Sequence, residues 1–162
     1  MQPSPALLFF LLCACASASP QRAPAAPPEE HAAIVATVDG MFTAMRERDA
    51  ETLRSLVAEG AIIVRLGKDD TGAVRHAVIP AEAFIEGTAG GKEVIDERFT
   101  SEPVVQYDGE MATLWGEYEV RVDGRFVHCG VDAVQLAKLD GRWQVTAITY
   151  TGRKEGCASS GE

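Results

Sequence analysis

Three Asp-Gly dipeptides constrain the fold of this chain more than any other feature of its sequence. Asp108-Gly109, Asp123-Gly124 and Asp140-Gly141 each separate two runs rich in β-branched and aromatic residues. Asp-Gly favours the tight turns between adjacent antiparallel strands, because both turn residues adopt positive φ angles. The sequence therefore predicts a four-stranded meander with strands at residues 94–107, 111–122, 126–138 and 143–151. Pro103 interrupts the first strand, so we expect a kink there or a position at the sheet edge.

The N-terminal part of the chain has the spacing of helices instead. A first helix is predicted to start near Pro28 or Glu29. Its apolar residues recur at helical intervals: Ile34, Val35, Val38, Met41, Phe42 and Met45. Asp49 is typical of the N-cap of a short second helix, and Gly60 of its C-terminal cap. These two helices are expected to pack with their apolar faces on the sheet.

A short β-hairpin and a third helix precede the meander. Residues 61–66 and 74–79 read as strands around a polar turn, and Pro80 opens a helix that ends among glycines. The order is therefore helix, helix, β-hairpin, helix and meander. This order predicts the α+β class and one domain at residues 29–157, followed by a tail at 158–162.

The first 28 residues have the composition of an export signal and a tether. Residues 6–14 are apolar but fall short of the roughly 20 residues that span a bilayer, and small residues follow directly. We expect a signal peptide at 1–18, a Pro/Ala tether at 19–28, and a protein exported to the periplasm or cell envelope.

Two ways of processing this signal remain open. Residues 12–15, Leu-Cys-Ala-Cys, resemble a bacterial lipobox, in which Cys15 would be lipidated and would anchor the domain to the membrane. Alternatively, cleavage follows the small residues at 16–18 and releases the protein.

Charge and motifs exclude several classes of partner. All 24 acidic residues lie after Pro28 but only 14 of the 15 basic ones do, which leaves ten negative charges in excess. Such a surface repels phosphate backbones and anionic lipids, so we expect no nucleic-acid partner and membrane contact only through a lipid anchor. The sequence has no His-x-His, Cys-x-x-Cys or Gly-x-Ser-x-Gly motif, and we expect no metal and no cofactor.

The C-terminal third resembles the nuclear transport factor 2-like superfamily. The resemblance rests on Gly116-Glu117-Tyr118 and on residues 122–132, 141–145 and 150–157. These runs are similar to an exported bacterial branch described as lumazine-binding-like or polyketide cyclase (SnoaL)-like, over about residues 29–157. The resemblance implies a conical fold in which a strongly curved antiparallel or mixed sheet of about six strands wraps around three N-terminal helices. It also implies a pocket between sheet and helices and frequent dimers through the sheet, but no particular reaction.

His128, Gly130 and Asp132 share one face of a predicted strand. His128 and Asp132 lie about 13 Å apart along it, and Gly130 would leave room for a ligand between them. A carboxylate among apolar neighbours is costly to bury, so we expect Asp132 to line the pocket rather than pair with a neighbouring hydroxyl. His128 is either a second pocket residue or an ordinary half-buried histidine.

The residue that faces His128 from the preceding strand depends on the Asp123-Gly124 turn. A two-residue loop would place Glu117 there, and a three-residue loop would place Tyr118 there. We favour Tyr118, because the residues on its face are apolar. Arg98 is a further candidate for binding a ligand carboxylate or carbonyl, although a solvated arginine beside Glu97 or Glu102 is the more common arrangement.

Cys129 and Cys157 are expected to pair in an oxidising compartment. With a two-residue turn at Asp140-Gly141, Cys129 falls opposite Gly152, and a chain that folds back would bring Cys157 to it.

Three functions fit these features. The favoured hypothesis is a non-catalytic domain that binds a small, partly apolar molecule. The alternative is an isomerase, cyclase or dehydratase in which Asp132 or His128 moves a proton beside a carbonyl and Tyr118 stabilises the enolate oxygen. The third is a protein-interaction module.

The predicted strand at 126–138 is apolar on both faces, so both faces are expected to be covered. Helices cover one face. We expect a second copy to cover the other, in a homodimer that packs sheet to sheet.

Overall fold

Three helices pack against one face of a seven-stranded sheet in the computed structural model, which describes residues 25–157. The helices are α1 (Pro28–Glu47), α2 (Ala50–Leu56) and α3 (Ala81–Ala89). The strands are β1 (Val57–Lys68), β2 (Val74–Pro80), β3 (Ile95–Phe99), β4 (Val104–Asp108), β5 (Met111–Val122), β6 (Arg125–Leu139) and β7 (Arg142–Arg153). The predicted signal peptide, Cys15 and the tail lie outside the described residues.

Most of the helix ends lie at the residues that local sequence signals predicted. Pro28 starts α1, and Glu30 fixes this end to the sheet by accepting hydrogen bonds from Trp143 Nε1 at 2.8 Å and Lys138 Nζ at 2.5 Å. Asp49 caps α2, since its carboxylate accepts the first free backbone N–H groups of that helix. The prediction that Gly60 caps α2 is wrong. Gly60 has φ 78° within β1, where the pairing with β7 is irregular.

The strand order is β2-β1-β7-β6-β5-β3, and β4 continues along β5 beyond β3. All neighbouring strands are antiparallel except β1 and β7, which are parallel, so the sheet is mixed. The first predicted meander strand is divided into β3 and β4 around Pro103, as that proline indicated. The curled, unclosed sheet around three helices is the predicted α+β cone.

A β-bulge decides which residue of β5 faces His128. The Asp123-Gly124 turn has two residues and pairs Val122 with Arg125. Taken alone, this turn would put Glu117 on the His128 face. Val127 is an extra residue in β6, however, because Arg121 pairs with Phe126 and the next pair is Val120 with His128. The bulge turns Tyr118, which pairs with Gly130, to the concave face.

A second bulge shifts the register between β6 and β7. Gln135 pairs with Ala147 and Leu136 with Val145, so Thr146 is the extra residue. Cys129 therefore lies opposite Arg153, and the expectation that it faces Gly152 is wrong. The chain after β7 still folds back, and a disulfide joins Cys129 to Cys157 with 5.8 Å between their Cα atoms.

The core lies between α1 and the concave face of the sheet. It contains fully buried residues from the first two helices and from the long strands, including Ile34, Val38, Leu53, Leu114, Leu136 and Val145. None of the helices in the described part combines the length and apolar composition that crossing a bilayer requires.

Candidate functional site

A cavity of about 240 Å³ lies between the concave face of the sheet and helices α1 and α3. Met41 and Phe42 of α1 and Phe84 of α3 form part of its apolar wall. The polar part of the wall consists of Thr88, Glu97, Tyr118, His128, Asp132 and Tyr150. An apolar cavity with a few convergent polar groups is typical of small-molecule sites.

The structure places Tyr118, His128 and Asp132 on the wall of this one cavity. In β6, His128 lies two residues before Gly130 and Asp132 lies two residues after it. Tyr118 of β5 lies opposite Gly130. The Val127 bulge thus aligns the three side chains on the concave face.

Asp132 and Glu97 form a pair of carboxyl groups on this wall. Asp132 is only 2% exposed, and Glu97 reaches it from β3, on the other side of β5. Glu97 is half-buried and borders the cavity space. In its protonated form, the Glu97 carboxyl donates a hydrogen bond to the Asp132 carboxylate.

Burial raises the pKa of both carboxyl groups. It raises the pKa of Asp132 to about 7, against the opposing effect of the hydrogen bond from Glu97. Burial and then the charge of Asp132 raise the pKa of Glu97 well above its usual range. Because two adjacent carboxylates repel each other in a desolvated site, the pair retains at least one proton at neutral pH. It can therefore donate a hydrogen bond to a ligand as well as accept one.

The Tyr118 hydroxyl is engaged within the protein. It donates to the carbonyl oxygen of Thr151 at 2.9 Å and lies 3.4 Å from Nδ1 of His128. Burial raises the pKa of Tyr118, so the hydroxyl stays neutral. Burial lowers the pKa of His128, and the positive charges of Arg65 and Lys154 lower it further. His128 is therefore a neutral imidazole at pH 7.

Tyr150 supplies a second hydroxyl to the same wall. It lies opposite Asp132 in the register of β6 and β7, and its ring centre is 6.3 Å from that of Tyr118. Burial raises its pKa. Among residues 25–157 no hydrogen bond engages its hydroxyl, in contrast to that of Tyr118.

Gly130 does not leave space for a ligand, contrary to the prediction. A Cβ atom at this position would lie 1.7 Å from the Thr151 carbonyl oxygen and 2.9 Å from the Tyr118 ring. The missing side chain instead lets the chain of β7 and the Tyr118 ring pack directly on β6.

Arg98 does not line the cavity, so its predicted role in ligand binding is wrong. It lies on the opposite face of β3 from Glu97, with more than half of its side chain exposed, and its guanidinium pairs with the buried carboxylate of Glu119. Arg121 pairs with the same carboxylate at 3.2 Å. The arginine of this strand therefore neutralises a buried charge on the convex side of the sheet.

Sequence reasoning missed Glu97 and Tyr150 as site residues. Glu97 shares its strand face with Ile95 and Phe99, and a carboxylate between two apolar residues carries the same signal that identified Asp132. Tyr150 had no such signal, because a tyrosine at the end of a strand is usually a packing residue.

No group of three or more metal-binding side chains occurs within the described residues. The arrangement can hold and exchange one proton on its carboxyl pair and offer hydrogen bonds to a polar group of an otherwise apolar ligand.

Comparisons with known proteins were made by sequence and by structure. No family model matches this chain, and no curated protein matches it. Among solved structures, an NTF2-like protein of unknown function from Silicibacter pomeroyi is 22% identical, with a TM-score of 0.55, and covers 79% of this chain and 100% of its own. An NTF2-like superfamily protein from Salmonella enterica is 13% identical, with a TM-score of 0.60, and covers 85% of this chain and 100% of its own. An NTF2-like protein from Cytophaga hutchinsonii is 16% identical, with a TM-score of 0.58, and covers 79% of this chain and 100% of its own.

These similarities concern the arrangement of helices and strands. At identities of 22% and below they show only the fold. The chemistry of the cavity has to be inferred from its own residues. The chain therefore has the nuclear transport factor 2-like fold, a cone commonly built around a small-molecule pocket.

Proposed function

We propose that this protein binds a small, partly apolar molecule in the cavity between sheet and helices. The observation that carries the proposal is the Glu97–Asp132 pair, buried on the wall of an otherwise apolar space. Burying carboxyl groups is costly, and a purely structural core gains nothing from two of them. A ligand with a carbonyl or hydroxyl group would supply the hydrogen-bond partner that the apolar wall lacks.

The proposal is tested first by a thermal-shift screen of steroid-like, pterin-like and aromatic polyketide compounds. We expect at least one class to raise the unfolding temperature, since a ligand that binds only the folded state stabilises it. Asp132→Asn and Glu97→Gln should keep the fold and change the affinity several-fold, because an amide still forms hydrogen bonds but cannot share the proton.

Glu117→Gln is the matched control, because Glu117 is exposed and lies on the convex side of β5. Equal affinities in wild type and in all three variants would contradict a binding site at the carboxyl pair. A screen without any stabilising compound would contradict the proposed function for these ligand classes.

Proton transfer beside a carbonyl is the second candidate function. It is supported by the pKa of Asp132, about 7, which suits a group that must accept and release a proton at neutral pH. The donor to an enolate oxygen would be Tyr150 rather than Tyr118, because Tyr118 already donates to Thr151. For an enzyme, Asp132→Asn should abolish turnover and leave ligand binding nearly intact, whereas a pure binding protein has no turnover to lose.

We further propose that the protein is exported and belongs to the lumazine-binding-like or SnoaL-like branch. The proposal is supported by the apolar segment and small residues at the N-terminus and by the disulfide, which suits an oxidising compartment. Cell fractionation should find the protein in the envelope. If Cys15 carries a lipid, Cys15→Ala should release a soluble or unprocessed form, and membrane attachment that persists in this variant would contradict lipidation.

A homodimer through the convex face of the sheet is the proposed quaternary structure, and a protein-interaction role would use the same face. The proposal is supported by a groove of about 400 Å³ on this face, beside the exposed Trp115 and Val104.

A further inference from the structure

Arg65 lies on the concave side of the sheet, next to the cavity. It is two residues after Ile63, which lines the cavity, and alternate residues of a strand share a face. In the parallel pairing of β1 with β7, Arg65 is directly beside Tyr150, another residue of the wall. The Arg65 side chain is exposed and borders the cavity without being part of its lining.

The guanidinium of Arg65 has no partner within residues 25–157. Several arginines in this part of the chain pair with carboxylates, as Arg54 does with Glu82 and Arg75 with Asp69, whereas others, such as Arg142, do not. Arg65 forms neither a hydrogen bond nor an ion pair there, although Glu97 and Asp132 line the cavity beside it. Its charge is therefore available to a ligand.

The cavity has two chemically different ends. The positive charge of Arg65 lowers the pKa of His128. It also opposes the increase that burial causes in the pKa values of Tyr118 and Tyr150. The carboxyl pair lies farther along the wall, because β7 with Tyr150 stands between Arg65 in β1 and Asp132 in β6. A ligand that extends from the carboxyl pair past Tyr150 would meet proton-sharing carboxyl groups at one end and a guanidinium at the other.

We propose that Arg65 binds a carboxylate at one end of the ligand, whose apolar body fills the cavity. The inference rests on the proposed binding function and narrows its ligand class to amphipathic monocarboxylates. A planar guanidinium forms two parallel hydrogen bonds with a carboxylate. A single negative charge suits a single cation, because the part of the chain after Pro28 has ten negative charges in excess and would repel further negative charge.

The test compares 2-naphthoate with 2-naphthamide, which has the same rings and size but no charge. Binding of each to the full chain is measured by isothermal titration calorimetry at pH 6.5. We expect wild type to bind 2-naphthoate roughly tenfold more tightly than 2-naphthamide, as one charge-assisted contact predicts. Arg65→Gln should weaken 2-naphthoate binding roughly tenfold and leave 2-naphthamide unchanged, and Arg65→Lys should restore part of the difference.

Arg142→Gln is the matched control, since Arg142 is exposed at the start of β7 and its replacement removes the same charge from the same sheet. Equal binding of the two probes by wild type would overturn the inference while leaving the proposed function intact. Equal weakening of 2-naphthoate by Arg65→Gln and Arg142→Gln would also overturn it, because the effect would then come from net charge. If neither probe bound wild type, both the inference and the proposed binding of aromatic ligands would be overturned.

Discussion

At the scale of single residues, Asp132 and Glu97 show one of two ways in which this protein accommodates a buried carboxylate. A carboxylate among apolar strand neighbours either pairs with a cation or lies where a proton or a ligand compensates its burial. Glu119, on the convex side, takes the first course with Arg98 and Arg121. Asp132 takes the second course with Glu97, so its charge depends on pH.

Asp132→Asn should change how stability depends on pH. The pKa of Asp132 is about 7 in the folded state, above its ordinary value of 3.8. The folded state therefore retains a proton that the unfolded state releases between about pH 4 and pH 7, and stability falls as the pH rises through this window. Asn removes this dependence, so the variant should gain on the order of 2 kcal/mol relative to wild type between pH 5 and pH 8.

The measurement is urea unfolding of both proteins at several pH values between 5 and 8. Because stability differences between the two proteins are compared, titrating groups that do not interact with Asp132 largely cancel, and Glu97→Gln in both backgrounds removes the contribution of its carboxyl partner. Parallel curves of unfolding free energy against pH would show that Asp132 ionises as it does in the unfolded chain.

Gly130→Ala should be among the most destabilising single substitutions in the chain. The new methyl group would lie 1.7 Å from the Thr151 carbonyl oxygen, which belongs to the backbone of β7 and cannot rotate away. We expect a loss of about 3 kcal/mol or more in the free energy of unfolding. Gly67→Ala is the control, because nothing lies within 4 Å of a Cβ atom there, and it should cost less than about 1 kcal/mol. Similar unfolding midpoints for the two variants would contradict the close approach.

At the scale of elements, the bulges in β6 and β7 determine the site. One extra residue, Val127, reverses which face of β5 meets His128, since side chains alternate along a strand. The second bulge, at Thr146, sets the pairing of Cys129 with Arg153 near the disulfide. The position of the cavity residues therefore depends on register rather than on strand boundaries.

The Cys129–Cys157 disulfide should stabilise the end of β7 and, through it, the whole domain. It joins residues that are 28 apart in sequence, for which loop-closure entropy predicts about 3–4 kcal/mol. The double variant Cys129→Ala/Cys157→Ala should lose about this amount in the free energy of unfolding, measured in urea. Wild type in the presence of a reductant should lose a similar amount. Mass spectrometry of protein from the envelope should find no free thiol at either position, and two free thiols would contradict the bond.

At the scale of the whole molecule, the two faces of the sheet have different roles. The concave face is covered by helices and contains the cavity, whereas the convex face carries no helix within the described residues and exposes Trp115. A second copy would cover it without disturbing the cavity.

Light scattering at tens of micromolar should therefore detect a dimer. Trp115→Glu should shift the population to monomer, because it places a charge in the proposed interface. Val74→Glu is the control, since Val74 is 69% exposed at the tip of the β1–β2 hairpin and should not affect assembly. A monomer in wild type, or equal effects of the two substitutions, would count against the dimer.

The sequence by itself determined the features that depend on neighbouring residues. The Asp-Gly turns, the Asp49 cap, the break at Pro103 and the order of elements follow from backbone preferences within a few residues. The expectation that Asp132 lines a cavity also came from its immediate strand neighbours. These features were sufficient for the α+β cone and for Asp132 in the cavity wall, whereas Tyr118 faces His128 only because of the Val127 bulge.

Only the tertiary structure decided how distant residues combine. Glu97 meets Asp132 across an intervening strand, and Arg65 meets Tyr150 through the single parallel pairing of the sheet. Both pairings depend on strand order, and that of Glu97 with Asp132 depends also on the Val127 bulge, which extends over two strands rather than following from a signal in one of them. Arg98 was misjudged for the same reason, because its role depends on Glu119, which is 21 residues away in sequence.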